Sequence, residues 1–134
     1  MGETPITKTM SETLSSKPSP KLGKLRQRSE FLYVRDGVYA ARGAIVIQAR
    51  ANPTHQTIRF GVTATKKIGN AVIRNRAKRR LREIARTLLP TLGQPGYDYV
   101  LIARDRTARR DWDQLLTDAR RALQSEALSG QRPD

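Results

Sequence analysis

The chain has 134 residues and a formal net charge of +14, with a pI near 11.2 and no cysteine. The lack of cysteine excludes disulfides and thiolate metal sites, and with a single histidine besides, a structural zinc site is excluded as well. No apolar run is long enough for a transmembrane helix or the core of a signal peptide, so a cytoplasmic protein is expected. Because so large a positive charge repels itself in the folded state, the expected partner is a polyanion, nucleic acid first and an anionic membrane surface second.

The two ends of the chain differ in composition from its interior. Residues 1–20 are rich in Ser, Thr, Pro and Lys and show no apolar period, which predicts a disordered tail. Residues 126–134 are expected to form a second, shorter tail. One folded domain of residues 21–125 is predicted between them.

The first half of this domain predicts a helix followed by strands. In RQRSEFLYVRDG, Ser29 is a candidate N-cap and Gly37 a candidate helix stop. GAIVIQAR is rich in β-branched residues and predicts a strand, and residues 38–42 are a candidate for an additional short edge strand. TIRFGVTAT alternates, which predicts a strand with an apolar face (Ile58, Phe60, Val62, Ala64) and a low polar face (Arg59, Gly61, Thr63, Thr65).

The second half predicts helix, strand and helix. An apolar stripe within an arc of roughly 80° predicts a helix that Pro90 ends, with the stripe facing the core (Ile73, Ala77, Leu81, Ile84, Leu88). GQPGYDYVLIAR predicts a strand that is apolar on both sides and therefore central. DWDQLLTDARRALQSEAL predicts a last helix with Asp111 or Asp113 at its start. The whole order predicts an α+β or α/β sandwich with helices packed on one sheet.

Candidate catalytic groups are few. His55 stands alone in a polar loop and is interpreted as a surface histidine, Asp98 as a solvated residue at the start of a strand, and Ser29 as a cap rather than a nucleophile. Neither a GxGxxG pattern nor a Walker loop is present. The sequence therefore predicts no catalytic residue and no metal site in the protein.

The segment KKIGNAVIRNRAKRRLRE, residues 66–83, is the strongest positive signal. Its cations form one ridge at four-residue spacing and a second flank (Arg74, Lys78, Arg82, Arg86; Arg76, Arg79, Arg80). A solvated charged face is the alternative reading, but such faces usually interleave acids, whereas like charges at i,i+4 cost about a few tenths of a kcal/mol per pair. This pattern favours phosphate contact.

Aromatic residues near the predicted low polar sheet face favour RNA over DNA. Phe31 and Tyr33 offer a stacking edge for unpaired bases, although a core position for Phe31 is equally compatible with the pattern. A DNA recognition helix, in contrast, usually belongs to a small helical module. The residues alone predict an RNA-binding α+β domain.

ATKKIGNAVIRNRAKRRLRE, residues 64–83, resembles the signature of the bacterial ribonuclease P protein family. Thr65 stands where that family most often has Ser, and the other positions fit at fixed spacing (Lys66, Lys67, Gly69, Asn70, Ala71, Val72, Arg74, Asn75, Arg76, Lys78, Arg79, Arg82, Glu83). KLRQRSEFLYVRDG and DYVLIAR resemble the family's first helix and last strand. The resemblance covers roughly residues 21–125.

This resemblance implies a fold and a task. The fold would be an α/β sandwich, α-β-β-β-α-β-α, with helices on a central mixed sheet and a left-handed βαβ crossover. The protein would assist a catalytic RNA subunit that removes the 5′ leader of precursor tRNA with Mg²⁺, and would itself bind no cofactor and no membrane. One set of residues, all on the basic helix, would contact the RNA subunit (Arg74, Asn75, Arg76, Lys78, Arg79, Arg82, Arg86).

A second set of residues would line the cleft for the leader (Phe31, Arg59, Thr63, Thr65, Lys66, Lys67). Many relatives carry another aromatic one turn after Phe31, where this chain has Arg35, so contact there would be electrostatic. Arg42 and Ile47 fit the cleft strand more loosely. The alternative function is that of a general RNA-binding or ribosomal-type protein, which would share the charge and the sandwich but need no leader cleft.

Overall fold

A computed structural model describes residues 22–129, so the tail predicted for residues 1–20 lies outside the described residues. Its strands and helices follow one another as β1 (Leu22–Lys24), α1 (Arg28–Arg35), β2 (Val38–Arg42), β3 (Ile45–Ala51), β4 (Ile58–Thr63), α2 (Ala71–Leu92), β5 (Tyr97–Ala103), α3 (Trp112–Leu123) and α4 (Glu126–Ser129). A short 3₁₀ turn, Lys66–Ile68, joins β4 to α2. The predicted order is confirmed, and β1 and α4 are additions to it.

The five strands form one mixed sheet in the order β1-β4-β5-β3-β2. β5 lies in the centre, as its apolar residues on both sides predicted, and the candidate edge strand at residues 38–42 is present as β2. β1 and β5 pair with β4 in parallel, whereas β2 and β5 pair with β3 in antiparallel orientation. β4, α2 and β5 thus make a βαβ unit between neighbouring strands; the left hand of its crossover stays a prediction.

Helices cover both faces of this sheet. Alternate residues of β5 separate the two sides, because side chains along a strand point to opposite faces. Tyr99 and Leu101 face the larger core, which α2 and α3 close, while Val100 faces a smaller cluster with Leu25 and with Val34 of α1. α1 therefore lies on the side of the sheet opposite to α2 and α3.

Two helix ends differ from the prediction. Ser29 lies inside α1, because the Glu30 carboxylate accepts hydrogen bonds from the backbone N–H groups of Arg26 (2.6 Å) and Gln27 (2.9 Å), and Gln27 becomes the N-cap. α2 does not end at Pro90 but continues to Leu92. Pro90 removes the N–H that would donate to the Arg86 carbonyl, and the helix ends two residues after it.

The C-terminal part of the fold extends past the predicted domain boundary. Asp111 is the N-cap of α3, and its side chain accepts a hydrogen bond from the backbone N–H of Gln114 at 3.3 Å. The segment expected as a tail from residue 126 begins with α4, whose Leu128 is buried against the core. Residues 130–134 lie outside the described residues.

Replacing Leu81 with Ala should destabilise the fold strongly. The Leu81 side chain is fully buried between α2 and the sheet, and a leucine-to-alanine change at such a position typically costs about 2–5 kcal/mol. Urea unfolding measures the loss. The control is Val72→Ala on the same helix, where the side chain is 76% exposed and a change within about 0.5 kcal/mol is expected. Equal losses in the two variants would contradict this account of the core.

Candidate nucleic-acid interface

The sequence GNA builds the start of the basic helix. Gly69 has φ 147°, a conformation that favours glycine, and a Cβ there would lie 2.9 Å from Cδ1 of Ile73. Asn70 is the N-cap, and its side-chain oxygen accepts a hydrogen bond from the backbone N–H of Ile73 at 3.0 Å. This turn thus sets the direction in which α2 begins, and Lys66 and Lys67 lie exposed immediately before the helix.

The apolar stripe of α2 packs on the sheet as predicted, with one exception. Ala77, Leu81 and Ile84 are fully buried, and Leu88 is nearly so. Ile73 is 38% exposed, because it lies in the first turn, where the helix extends past the core and Ile73 contacts Gly69. The stripe fixes the rotation of the helix, and this rotation decides where each cation points.

The cations of α2 are almost free of acid partners. Among the described residues, Arg86 alone of the seven forms an ion pair, with Glu83 at 3.7 Å, and both side chains are about half exposed, so that contact contributes little. The predicted RNA-binding residues Asn75, Arg76 and Arg79 are exposed, whereas Arg74, Lys78 and Arg82 are half-buried along one flank. The helix therefore carries a positive field that the described part of the protein does not neutralise.

Arg80 has a different role from its neighbours. Its Nη1 and Nη2 each donate a 2.6 Å hydrogen bond to a backbone carbonyl, of Thr107 and Arg110, and its guanidinium lies 5.5 Å from the centroid of the Trp112 ring. Burial, and then the nearby charge of Arg76, lower the pKa of Arg80. Arg80 therefore anchors the loop between β5 and α3 to α2 through hydrogen bonds to two of its carbonyl groups.

Phe31 lies over the backbone of β4 at Gly61. A Cβ on Gly61 would be 2.4 Å from Cζ of the Phe31 ring, so the ring needs glycine beneath it. Phe31 is half-buried and packs against the small cluster around Val34 and Val100 while remaining open to solvent. One part of the ring therefore packs and another lines a cavity, and the stacking of this ring on an unpaired base stays a prediction.

That cavity, the cleft of this protein, lies where β1 ends. Leu25 donates its backbone N–H to the Phe60 carbonyl at 2.9 Å, and beyond this bond the described residues place no strand along the outer edge of β4. The cleft has a deep part of about 210 Å³, lined by Lys24, Leu25, Phe31, Phe60, Gly61, Val62 and Arg82. A shallower part of about 410 Å³ adjoins it at Phe31 and is lined by Arg28, Phe31, Val62, Thr63, Ala64 and Lys78.

The cleft brings together only some of the residues predicted for it. Phe31 and Thr63 line it, while Thr65, Lys66 and Lys67 lie exposed on the turn that follows β4. Sequence reasoning missed two lining cations, Lys24 and Arg28. The basic run KLGKLRQR just before the first helix was the available signal, and pairing of this run with β4 brings it to the site.

Arg59, also predicted for the cleft, is engaged elsewhere. Its Nε and Nη2 donate to Oδ1 and Oδ2 of Asp98 at 2.9 and 2.8 Å, and its Nη1 donates to Oε2 of Glu30 at 3.2 Å. Because Glu30 caps α1 and directly precedes Phe31, this chain of contacts ties the wall of the cleft to the central strand. Arg59 therefore supports the cleft by holding α1 in place.

Asp98 and His55 were both interpreted wrongly from the sequence. Asp98 is fully buried, and it accepts further hydrogen bonds from Nδ2 of Asn52 at 2.9 Å and, given the matching tautomer, from Nε2 of His55 at 2.7 Å. His55 is 15% exposed and bridges Asp98 and Thr57, so it is not a free surface histidine. Burial acts to raise the pKa of Asp98, but the hydrogen bonds from Arg59, Asn52 and His55 outweigh it and lower the pKa.

The other candidate aromatic and strand residues lie outside the cleft. The Tyr33 hydroxyl donates to the Ala51 carbonyl at 2.6 Å, and the Arg50 guanidinium covers the Tyr33 ring at 4.0 Å from its centroid, which occupies that face of the ring. Ile47 is fully buried in the larger core, so its match to the cleft is wrong. Arg42 ends β2 on the far edge of the sheet.

The described residues offer no ligand set for a metal. Within residues 22–129, no group of three or more His, Cys, Asp or Glu side chains is placed to hold an ion. None of the helices in this range is both long and apolar enough to cross a membrane. The chemistry that this part of the chain presents is cationic and aromatic.

Comparison with known proteins gives a consistent result. The profile of the family named Ribonuclease P matches residues 20–126. The ribonuclease P protein component of Caulobacter vibrioides is 51% identical over 108 residues, covering 80% of this chain and 72% of that protein. The corresponding component of Ruegeria pomeroyi is 51% identical over 108 residues, covering 78% and 86% of the two chains.

Solved structures agree with the sequence comparison. The RNase P protein of Staphylococcus aureus superposes with a TM-score of 0.66 at 25% identity, covering 77% of this chain and 94% of that one. The RNase P protein of Thermotoga maritima gives a TM-score of 0.61 at 29% identity, covering 72% and 90%. The arrangement of helices on a five-stranded mixed sheet is thus shared with these proteins.

Replacing Asp98 with Asn should lower the free energy of unfolding at pH 7 by about 1.5–3 kcal/mol, the range for charged hydrogen bonds. Since the folded pKa of Asp98 lies below its unfolded value of about 3.9, its contribution is present above about pH 4 and is lost as the pH falls through the folded pKa. The variant should therefore lose less stability than the wild type on acidification below pH 4. Urea unfolding at several pH values measures both effects.

The matched control is Asp105→Asn, which removes an exposed carboxylate from the loop after β5. This variant should keep the stability and the acid dependence of the wild type. Unchanged acid dependence in Asp98→Asn would contradict the proposed linkage between this carboxylate and the fold.

Proposed function

Because the chain belongs to the ribonuclease P protein family, we propose that it binds the RNA subunit of that ribonucleoprotein and the 5′ leader of precursor tRNA. In this function the protein assists the endonucleolytic removal of the leader, which yields the mature 5′ end of the tRNA. The cleft takes the single-stranded leader, and the exposed basic face of α2 takes the RNA subunit.

The observation that carries this proposal is the composition of the cleft. Four cations and the solvent-accessible ring of Phe31 lie along the unpaired edge of β4, and no carboxylate lines the cleft. The four cations are Lys24, Arg28, Lys78 and Arg82. A single-stranded nucleic acid needs such a combination, since cations follow its phosphates while an aromatic ring stacks on an unpaired base. Glu30, the nearest acid on α1, is already engaged by Arg59.

The shape of the cleft favours a flexible strand over a duplex. Phe31, the floor at Gly61 and the cations around them lie in a recess between α1, β4 and α2. A double helix presents its phosphates on a broad convex surface and keeps its bases stacked inside, so it cannot bring a base to Phe31. A general RNA-binding protein has no need of this recess, and the leader-binding function is therefore the better account.

The protein contributes binding and positioning in this proposal. The Thr57 hydroxyl contacts Nδ1 of His55 at 3.1 Å, but both residues belong to the network around the buried Asp98, outside the lining of the cleft. Among the residues that the structure describes, no group of three or more His, Cys, Asp or Glu side chains could hold a metal ion. We therefore attribute the Mg²⁺ and the cleavage step to the RNA subunit, and the gain in substrate affinity to the protein.

Reconstitution tests the proposal directly. The full chain is mixed with the ribonuclease P RNA of its own organism at low Mg²⁺, and cleavage of precursor tRNA is followed. We expect faster cleavage and tighter substrate binding than with RNA alone, because the protein's cations reduce repulsion between the two RNAs. Absence of both gains would refute the proposal. Cleavage by repurified protein without the RNA would instead place the active site in the protein.

Replacing Phe31 with Ala should selectively weaken binding of precursor tRNA that carries a leader. Loss of one stacked base costs about 1–3 kcal/mol, whereas mature tRNA, which lacks the leader, should bind the holoenzyme as before. Equilibrium binding of the two substrates to the reconstituted holoenzyme measures the difference.

The control for this experiment is Tyr39→Ala, which removes another solvent-accessible aromatic ring, 64% exposed on the edge strand β2. It should leave both affinities unchanged. Equal losses for leader-bearing and mature tRNA in Phe31→Ala would assign the ring to packing alone.

A further inference from the structure

We propose that the loop between β5 and α3 forms a further binding site for a phosphodiester group of RNA, separate from the cleft. The site is a surface pocket of about 390 Å³, here called the loop pocket, lined by Arg106, Arg109, Arg110, Asp111 and Gln114. It shares no lining residue with either part of the cleft. The proposal rests on the proposed function in one respect, namely that the partner of this protein is RNA.

Two arginines of the loop pocket have donors available for an anion. Arg106 and Arg109 are exposed and form no ion pair with any other described residue, whereas Arg110 is held by Asp118, with its Nε donating to Oδ2 at 2.6 Å. The carboxylate in the lining, Asp111, is occupied as the N-cap of α3. A guanidinium group offers five N–H donors in a planar fork that matches the oxygens of a phosphate.

The backbone that carries these arginines is fixed by buried contacts. Thr107, which is fully buried, donates its hydroxyl to the Ala44 carbonyl at 2.6 Å. The Arg106 carbonyl accepts hydrogen bonds from the backbone N–H groups of Arg109 at 3.1 Å and Arg110 at 2.9 Å, which closes the loop into a turn. Because the turn is already ordered, an anion that binds there has little backbone entropy to remove.

The loop pocket also adjoins the basic helix. Arg80 of α2 donates to the carbonyl of Arg110, whose side chain lines the pocket. Arg76, one turn earlier on α2, is close enough that its charge lowers the pKa of Arg80, second to the effect of burial. The loop therefore adds cations beside a helix that is already positive. Such an arrangement repels itself unless a polyanion covers both parts, which favours a nucleic acid as the occupant.

The phosphodiester has two possible sources, the RNA subunit and the precursor tRNA, and both offer the same chemistry to an arginine. Binding measurements with each RNA distinguish them. The variant is Arg106→Gln with Arg109→Gln in the full chain, assembled with the ribonuclease P RNA of its own organism. Affinity for the RNA subunit forms one arm, and affinity of the assembled holoenzyme for precursor tRNA forms the other.

We expect the double glutamine variant to weaken binding in one of these arms by about tenfold, as loss of charged hydrogen bonds should. The log–log salt dependence in that arm should fall by about 0.7–0.9 per lost phosphate contact. Arg106→Lys with Arg109→Lys keeps both charges and should retain the salt dependence of the wild type.

The matched control is Arg120→Gln with Arg121→Gln, which also removes two positive charges. These two arginines are exposed in the last turn of α3, outside the lining of the loop pocket. The control should keep the affinities and salt dependence of the wild type. An equal change in the two glutamine variants would reduce the effect to net charge and overturn the proposal.

The outcomes separate this site from the proposed function. Unchanged salt dependence in both arms, while the wild-type protein still stimulates cleavage, would overturn the loop pocket and leave the function standing. Failure of the wild type to bind either RNA would instead refute the function itself.

Urea unfolding shows whether the Arg106→Gln, Arg109→Gln variant folds as the wild type does. If it does not, cross-linking decides, since the chain has no native cysteine. Arg109→Cys with a photoreactive group attached should cross-link to the RNA that lost affinity, and Arg120→Cys with the same group should not. Absence of any cross-link from Arg109→Cys would overturn the proposal.

Discussion

The buried contact between Arg59 and Asp98 is the interaction on which the cleft depends. It joins the two parallel strands at the centre of the sheet, and Arg59 also reaches Glu30 at the start of α1. A buried carboxylate without partners would be costly, so the loop residues Asn52 and His55 complete its hydrogen bonds. Since Phe31 follows Glu30 directly, the same contacts that satisfy Asp98 hold the aromatic ring over Gly61.

The basic helix depends on a second constraint, the apolar stripe between α2 and the sheet. Repulsion among unpaired cations destabilises the helix by itself, and its described residues offer little compensation beyond the pair of Arg86 and Glu83. Burial of Leu81, Ile84 and their neighbours supplies the opposing free energy. A polyanion that binds only the folded chain would stabilise it further, so the charge pattern couples folding to binding.

Much of the fold followed from periodicity, because local patterns encode local structure. The alternation of Ile58 and Phe60 with polar neighbours, and the stripe of Ala77, Leu81 and Ile84, predicted the buried faces correctly. The role of Asp98 could not be predicted in this way, since it arises from the register that places Arg59 beside it on another strand. The position of Lys24 in the cleft could not be predicted for the same reason, because it depends on the pairing of β1 with β4.

On the proposed function, the rigidity of α2 gives the protein a way to assist a reaction between two other molecules. Lys78 and Arg79 are neighbours in the sequence, yet they face the cleft and the outer surface of one helix that the core holds in a fixed rotation. If one RNA is held on each surface, their relative position is set by the helix and not by a flexible linker, which reduces the entropy lost when substrate and catalyst meet. On the proposed function, α2 therefore acts as a rigid spacer between the leader and the RNA subunit, and its value to the reaction lies in its geometry as much as in its charge.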